Sequence, residues 1–513
     1  MRQAILALDI GTSRTRARLF NLRGEVLDEA SRPTAAESPF AGAAELDCEA
    51  LWRDLVETAT AVRTEGLEVV ALGATAQLGT IFIDESGDVL QKAMLWADTR
   101  AQAEAQEFEE AFGEEGYAVS GRRMAPELAA PRLLWLRRQH FDIFRRLRRI
   151  ASIKDFVVEK LTGAVVTDET HASYTGLFDV EKRCWSAQLM RRSECDLAMF
   201  APVGVASGKA GGLVEGVATQ LGLVPGIPVA IGAPDGTAGT IGAGAIRPGI
   251  TVDVAGTTDV LLHCLERPVK DPERRLVLNA HAVAGTWAAG GPTGFTGGAV
   301  SWTLKLFGFQ GPAESQRALN ESLCTVAPGC DGLVFCTPLT GSRFPHWNAR
   351  ERGVLSGIEP GHGPLHVLRA AQEGAAFVVA DAIEAIRRCG ADISEVVTVG
   401  GLAADRAAIQ LRADVLNVRV VRLATEEASS VGSAMLSGVC ANVYPDLDAA
   451  AKVFVKVLDA IDPGPAAVAL RRARAHWREA HRVRDAHDPR GPIASPIAEP
   501  KDRALAPRSS NLE

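Results

Sequence analysis

Two stretches of this 513-residue chain set a glycine and two hydroxyl residues directly behind an apolar run of strand length. The first is Ile5-Leu6-Ala7-Leu8-Asp9-Ile10-Gly11-Thr12-Ser13, followed by the alternating run Arg14 to Phe20. It predicts strand, tight turn, strand. Gly11 lets backbone approach a ligand closely, and Thr12 and Ser13 add hydroxyls beside turn N–H groups that can nest an anion. Asp9, at the strand end, can hold a hydrated cation. The second stretch is Thr251-Val252-Asp253-Val254-Ala255-Gly256-Thr257-Thr258-Asp259-Val260-Leu261. Taken alone, such a stretch reads equally well as an ordinary hairpin. As a pair, one near the start of each half, they point to two related domains. Their hairpins would grip a nucleotide's phosphates from both sides of one cleft.

Other residue types suit a phosphoryl acceptor. The apolar run Val229 to Ala233 ends at Pro234-Asp235-Gly236. Phosphoryl transfer to a hydroxyl needs one base, and Asp235 is the candidate; the alternative is a helix N-cap. A strand over Leu67–Leu72 leads into a small-residue loop with Gln77, either a ligand contact at a strand end or a solvated amide. Trp96-Ala97-Asp98-Thr99-Arg100 offers an aromatic face, a carboxylate and a guanidinium, which suit a sugar ring and its hydroxyls. Its alternative puts Trp96 in the core and Asp98 at an N-cap. His171 falls in a polar, loop-like stretch from Thr167 to Phe178 and reads as a surface histidine. No His/Cys/Asp/Glu group has zinc spacing. Neither a Walker loop nor a dinucleotide glycine motif occurs, so the phosphate site belongs to another class.

The elements that must position these residues follow from patterning. Helices are predicted after Asp47, from Pro131, after the Ser152 cap to Leu161, from Gly294 through Leu304, from His366 to Cys389, and from Ala428 to Val443. A strand over Val396–Val399 leads to Gly400-Gly401-Leu402-Ala403, where glycine would let backbone pack against a flat ring such as adenine. Ala245 to Gly249 reads as a domain connector and hinge. From about Arg490 the proline-rich tail predicts disorder. A net charge of −8 gives no support for nucleic-acid binding. Nine scattered cysteines without a C-x-x-C pair fit reduced cytosolic thiols. The first apolar run is short and ends in Asp9, unlike a signal peptide, and no uncharged run reaches membrane-spanning length. A cytoplasmic protein is expected.

These motifs, in this order, resemble the FGGY carbohydrate kinases of the actin and hexokinase-like superfamily. The resemblance runs from Ala4 to roughly residue 460. It is carried by Asp9 to Ser13 with Arg16, by Pro131 to Leu136 (with Arg132 where Lys is usual), and by Asp235. Ala255 to Thr258, Gly297 to Trp302, Gly400 to Ala403 with Asp405, and Glu427 to Ala434 complete it. It implies an α/β fold of two ribonuclease-H-like (actin/hexokinase-type) domains, each a five-stranded mixed sheet with helices, around an interdomain cleft. Residues 1–246 would bind sugar, 247–485 would bind ATP, and 486–513 would form the tail.

The implied activity is transfer of the γ-phosphoryl group of ATP, with Mg²⁺, to a sugar or polyol hydroxyl. Asp235 would be the base, and Asp9 and Asp235 would hold Mg²⁺ largely through water. Gly11, Thr12, Ser13, Arg16, Gly256, Thr257 and Thr258 would contact phosphates. Gly297, Ser301, Gly400, Gly401, Leu402 and Asp405 would surround adenosine. Gln77, Trp96, Asp98, Arg100 and Asp235 would surround the sugar. The Glu427 to Ala434 helix would close the nucleotide domain. The implied partners are the sugar and ATP, with no nucleic acid or membrane; family members are often dimers, but the sequence carries no decisive interface signal. Trp96 to Arg100 resembles xylulokinases and gluconokinases alike. Gln77-Leu78-Gly79-Thr80 keeps the Gln of the usual xylulokinase Gln-Met-His-Gly and lacks its His. D-xylulose or a related ketopentose is the expected acceptor. The alternatives are gluconate, another sugar or polyol including an autoinducer-2 type, or a non-catalytic sugar or nucleotide sensor.

Overall fold

The apolar run at the start of the chain becomes the strand Arg2–Ile10, central in the first of two large mixed sheets. The computed structural model describes residues 2–425 and 427–486, with side chains to His481. The central strand pairs antiparallel with Arg14–Asn21 and parallel with Leu67–Ala76. Ala4 to Ile10 are all buried because both faces of the strand are covered, which is why the run shows no alternation. Leu6, Leu8 and Ile10 share a core with Leu51 and Leu55 of helix Cys48–Thr60 and Phe156 of helix Ile153–Thr162. Ile5 and Ala7 share another with Met435 and Leu436 of helix Ala428–Cys440 and Ile241 of helix Asp235–Gly242.

Both sheets repeat one plan. In the first, Arg2–Ile10, Arg14–Asn21 and Val26–Pro33 form an antiparallel meander, and Leu67–Ala76 and Pro228–Ala230 add in parallel. In the second, Thr251–Val254, Val260–Leu265 and Trp287–Pro292 form the meander, and Glu395–Val399 and Arg419–Leu423 add in parallel. The repeat read from the two glycine turns therefore extends to topology. Each sheet has seven strands rather than the expected five. The additions are Lys209–Gly212 and Ala233–Pro234 in the first, Val277–Ala280 and Val457–Ile461 in the second.

Helix Ala428–Cys440 was expected to close the nucleotide domain. It joins the second sheet only through its first residue, Ala428, which shares a core with Val252, Val399 and Val421; the rest packs on the first sheet, against Arg2–Ile10 and Leu67–Ala76, and crosses helix Asp235–Gly242. Glycine makes the crossing this close: a Cβ on Gly432 would lie 1.8 Å from Ala238 O, and one on Gly242 would lie 2.0 Å from Ala428 O. The two halves are thus joined through a helix pair whose first turn carries Asp235. Thr167 to Phe178 is not a loop either, since it contains helix Glu169–Ser173, capped by Asp168. Ala172, Phe178 and Val180 enter a core shared with Leu278, Ala280 and Phe344 of the second half. All nine cysteines are free. Among the described residues no helix is long and apolar enough to cross a membrane. The proline-rich tail lies outside the described residues.

Candidate active site

The first glycine turn sits at the carboxyl end of the central strand. Gly11 N donates to Arg14 O at 3.0 Å, and Gly11 O accepts from Thr34 Oγ1 at 2.9 Å and Gln77 Nε2 at 3.3 Å. Thr12 and Ser13 are exposed at the tip. Asp9, just before the turn, is buried. Its Oδ2 accepts from Ser429 Oγ at 2.6 Å and Ser430 Oγ at 3.3 Å, while Oδ1 is buried without a protein partner. Arg16 pairs with Glu427 at 3.1 Å. The turn is therefore tied to the second half of the chain. Burial pushes the Asp9 carboxyl above the usual carboxylate range, although Ser429 and the Arg16 guanidinium oppose the rise.

Asp235 opens its helix where the short strand Ala233–Pro234 ends against Leu67–Ala76. It is not an N-cap, because Pro234 holds that position. Its Oδ1 accepts from Gly236 N at 2.7 Å. Burial, and next the Asp9 carboxylate, push the Asp235 carboxyl up to about 6, against the pull of the Gly236 N–H and His171. Two such carboxylates, one with an orphaned buried oxygen, fit a divalent cation, so Asp9 and Asp235 are the residues that could hold Mg²⁺. A carboxylate with raised proton affinity also suits removal of a hydroxyl proton.

The first half holds a cavity of about 60 Å³, lined by Gly79, Thr80, Trp96, Glu127, His171 and Tyr174, among others. Trp96 Nε1 donates to Thr12 Oγ1 at 3.3 Å, so the ring is anchored to the first turn. Buried Arg132 braces the same segment, donating to Thr80 Oγ1 at 2.9 Å, to Met94 O at 2.7 Å and to Leu95 O. From the second half, Arg343 lies 5.6 Å over the Trp96 ring and pairs with Glu127 at 3.2 Å. Gln77 is buried, not solvated, and its Oε1 has no protein partner.

The sequence put Asp98 and Arg100 at the sugar, and the structure turns both to another task. Asp98 is fully buried, accepting from Ala44 N at 3.0 Å and from Arg100 Nη2 at 2.7 Å. Arg100 Nη1 pairs with Glu45 at 2.8 Å, and its guanidinium lies 5.0 Å over the Trp135 ring. Their charges are thus spent on holding the segment that carries Trp96. Asp98 is not an N-cap either, since Ala101 precedes helix Gln102–Ser120.

His171, expected at the surface, is buried. Its Nδ1 lies 3.0 Å from Asp168 Oδ1. Lys154 Nζ pairs with Asp168 at 3.1 Å and Asp155 at 2.7 Å, and donates to Ile231 O at 2.9 Å. Although burial opposes it, the Lys154 ammonium with His171 holds the Asp168 carboxyl well below the usual range. Asp155, Asp168 and His171 cluster like metal ligands, but Lys154 already supplies their cation.

The second half holds a cavity of about 370 Å³, lined by Gly256, Thr257, Gly297, Ser301, Gly401, Leu402 and Asp405 of the sequence-predicted set. Gly400 packs behind it: its φ is +89°, and a Cβ there would lie 2.5 Å from Ala255 O. A Cβ on Gly297 would lie 2.2 Å from Gly256 O, so helix Thr296–Leu306 reaches the turn only because that residue is glycine. Sequence reading missed Gln316 and Arg412, which line the same cavity. Gln316 Nε2 donates to Asp405 Oδ2 at 2.7 Å. Arg412 pairs with Asp253 at 3.2 Å and Asp259 at 3.0 Å, clamping both ends of the second glycine turn. Burial pushes the Asp253 carboxyl up, and the Arg412 guanidinium opposes that rise.

Comparison with known proteins assigns both halves to one family. The N-terminal domain of the FGGY family of carbohydrate kinases matches residues 4–242, and its C-terminal domain matches residues 252–441. A xylulose kinase of Bacillus subtilis is 27% identical over 464 residues, covering 90% of this chain and 92% of that protein. A glycerol kinase of Geobacter is 30% identical over 460 residues, covering 86% of this chain and 90% of that protein. The crystal structure of a gluconate kinase from Lactobacillus acidophilus has a TM-score of 0.89 at 22% identity, covering 95% of this chain and 99% of that one. With both of its domains matched over most of the length, this chain is a member of the FGGY family of carbohydrate kinases.

Proposed function

We propose that this sugar kinase moves the γ-phosphoryl group of ATP to a hydroxyl of D-xylulose or a related ketopentose, with Asp235 as general base. The observation that carries the reading is the Asp235 carboxyl, which opens its helix at a strand end and is pushed up to about 6 by burial and by the Asp9 carboxylate. As the acceptor oxygen attacks the γ-phosphorus, Asp235 takes its proton and the bond to the ADP oxygen breaks. The products are a sugar phosphate and ADP, and the proton leaves Asp235 to solvent. The two glycine turns orient the phosphates, and Trp96 supplies an apolar shelf for the acceptor. A bound Mg²⁺ would offset phosphate charge beside Asp9 and Asp235. The Gly401-Leu402 and Ser301 side of the second cavity suits a flat base.

The ketopentose assignment leans on the xylulose kinases, which cover most of both chains. ADP release with Mg-ATP, measured across D-xylulose, D-ribulose, L-xylulose, D-gluconate, glycerol, erythritol and the autoinducer-2 precursor, tests it. A D-xylulose-dependent rate well above all others supports the reading. A dominant rate with gluconate or a polyol replaces the acceptor, and nucleotide binding without turnover on any of them favours a sensor.

A further inference from the structure

We infer that His171 binds an acceptor hydroxyl and so sets which sugar the enzyme takes, an assignment that rests on the sugar-kinase reading above. Three observations converge on its Nε2. The ring lines the same cavity as Trp96. Its Nδ1 is engaged by Asp168 Oδ1 at 3.0 Å. Its Nε2 is buried without a protein partner, in a side chain only 5% exposed. A buried polar atom left this way costs free energy until a ligand or water completes it.

The neighbours fix what that ligand is. Lys154 holds Asp168 as a carboxylate, and that carboxylate takes up Nδ1, so Nε2 is the ring nitrogen left for a ligand. A sugar hydroxyl, which both donates and accepts, completes that nitrogen. A metal is disfavoured, because the Lys154 ammonium already stands between Asp155 and Asp168. Lys154 also donates to Ile231 O, four residues before Asp235. One ammonium therefore fixes both the His171 ring, through Asp168, and the strand end that carries the base. A sugar held at Nε2 is registered against Asp235.

The test is steady-state kinetics of the full-length wild type, His171→Ala and His171→Asn at saturating Mg-ATP. The acceptors are D-xylulose, its C3 epimer D-ribulose, its C4 epimer L-ribulose and 1-deoxy-D-xylulose. His171→Ala should raise the KM for D-xylulose about tenfold or more, with the KM for ATP changed less than about twofold. It should also collapse the kcat/KM ratio between D-xylulose and at least one analogue, the one altered at the contacted hydroxyl. His171→Asn keeps an acceptor and should recover part of both. A residue that only supports the fold would depress all four acceptors equally and leave every ratio unchanged; that result overturns the assignment. If His171→Ala does not fold, the same ratios are read on His171→Asn under the same criterion. A wild type that turns over none of the four sugars defeats the ketopentose reading, and this inference with it.

Discussion

Replacing Asp235 by Asn should remove turnover and make the protein more stable. The carboxyl is raised from 3.8 to about 6 in the fold, first by burial and then by Asp9. A folded pKa above the unfolded one means that the fold binds the proton more tightly and is penalised by the charge. That penalty is small below the unfolded value, grows as pH rises and is complete above the folded value. Each pKa unit is about 1.4 kcal/mol, so the full penalty at pH 8 is about 3 kcal/mol as an upper figure. At pH 5, between the two values, it is about half as large. Asn keeps the acceptor for Gly236 N–H and carries no charge. Asp235→Asn should therefore melt roughly 3 °C higher than wild type at pH 8, given an unfolding entropy of about 2 cal/mol/K per residue. The gain should shrink to roughly half that at pH 5. Ligand-free calorimetry at the two pH values checks it. A variant that is less stable at pH 8, or equally shifted at both, would refute the claim that the fold strains against this charge.

Three other outcomes follow from the same geometry. Gly432→Ala drives a methyl toward Ala238 O, 1.8 Å from its Cβ, and should cost about 3 kcal/mol or more by separating the crossed helices; thermal melting and sugar-dependent turnover should fall together. Arg412→Ala strands Asp253 and Asp259 as buried, uncompensated carboxyls. Its loss should cost about 3–5 kcal/mol and raise the KM for ATP more than that for sugar, read by melting and kinetics. The wild-type kcat/KM should fall as pH drops through about 6, because Asp235 must be ionised to accept a proton; a flat profile from pH 5 to 8 would contradict its role.

What could be read from the chain was local. Apolar runs that stop at Gly-Thr-Ser or Gly-Thr-Thr specify their own strands and turn, so both glycine-turn hairpins were legible. The placement of Asp235 was legible for a similar reason, because an apolar run stops just before it and the chain turns there into a helix. The partners of these groups were not. Ser429 and Ser430 reach Asp9 only because two glycines let distant helices cross. His171 reads as a surface residue in a polar segment; Lys154, Asp168 and the core around Phe178 bury it. The Trp96 to Arg100 pentapeptide misled for the converse reason. Three sugar-suited side chains adjoin in sequence, but Asp98 and Arg100 satisfy each other and Glu45, which leaves Trp96 alone facing the cavity.

The most direct test of the account is ADP release by the purified wild type and Asp235→Asn, with and without D-xylulose, at matched ATP occupancy. The account predicts sugar-dependent release by the wild type and a loss of about a hundredfold or more in the variant, whose nucleotide affinity stays intact. ADP release that is independent of sugar, or that survives Asp235→Asn, would contradict it.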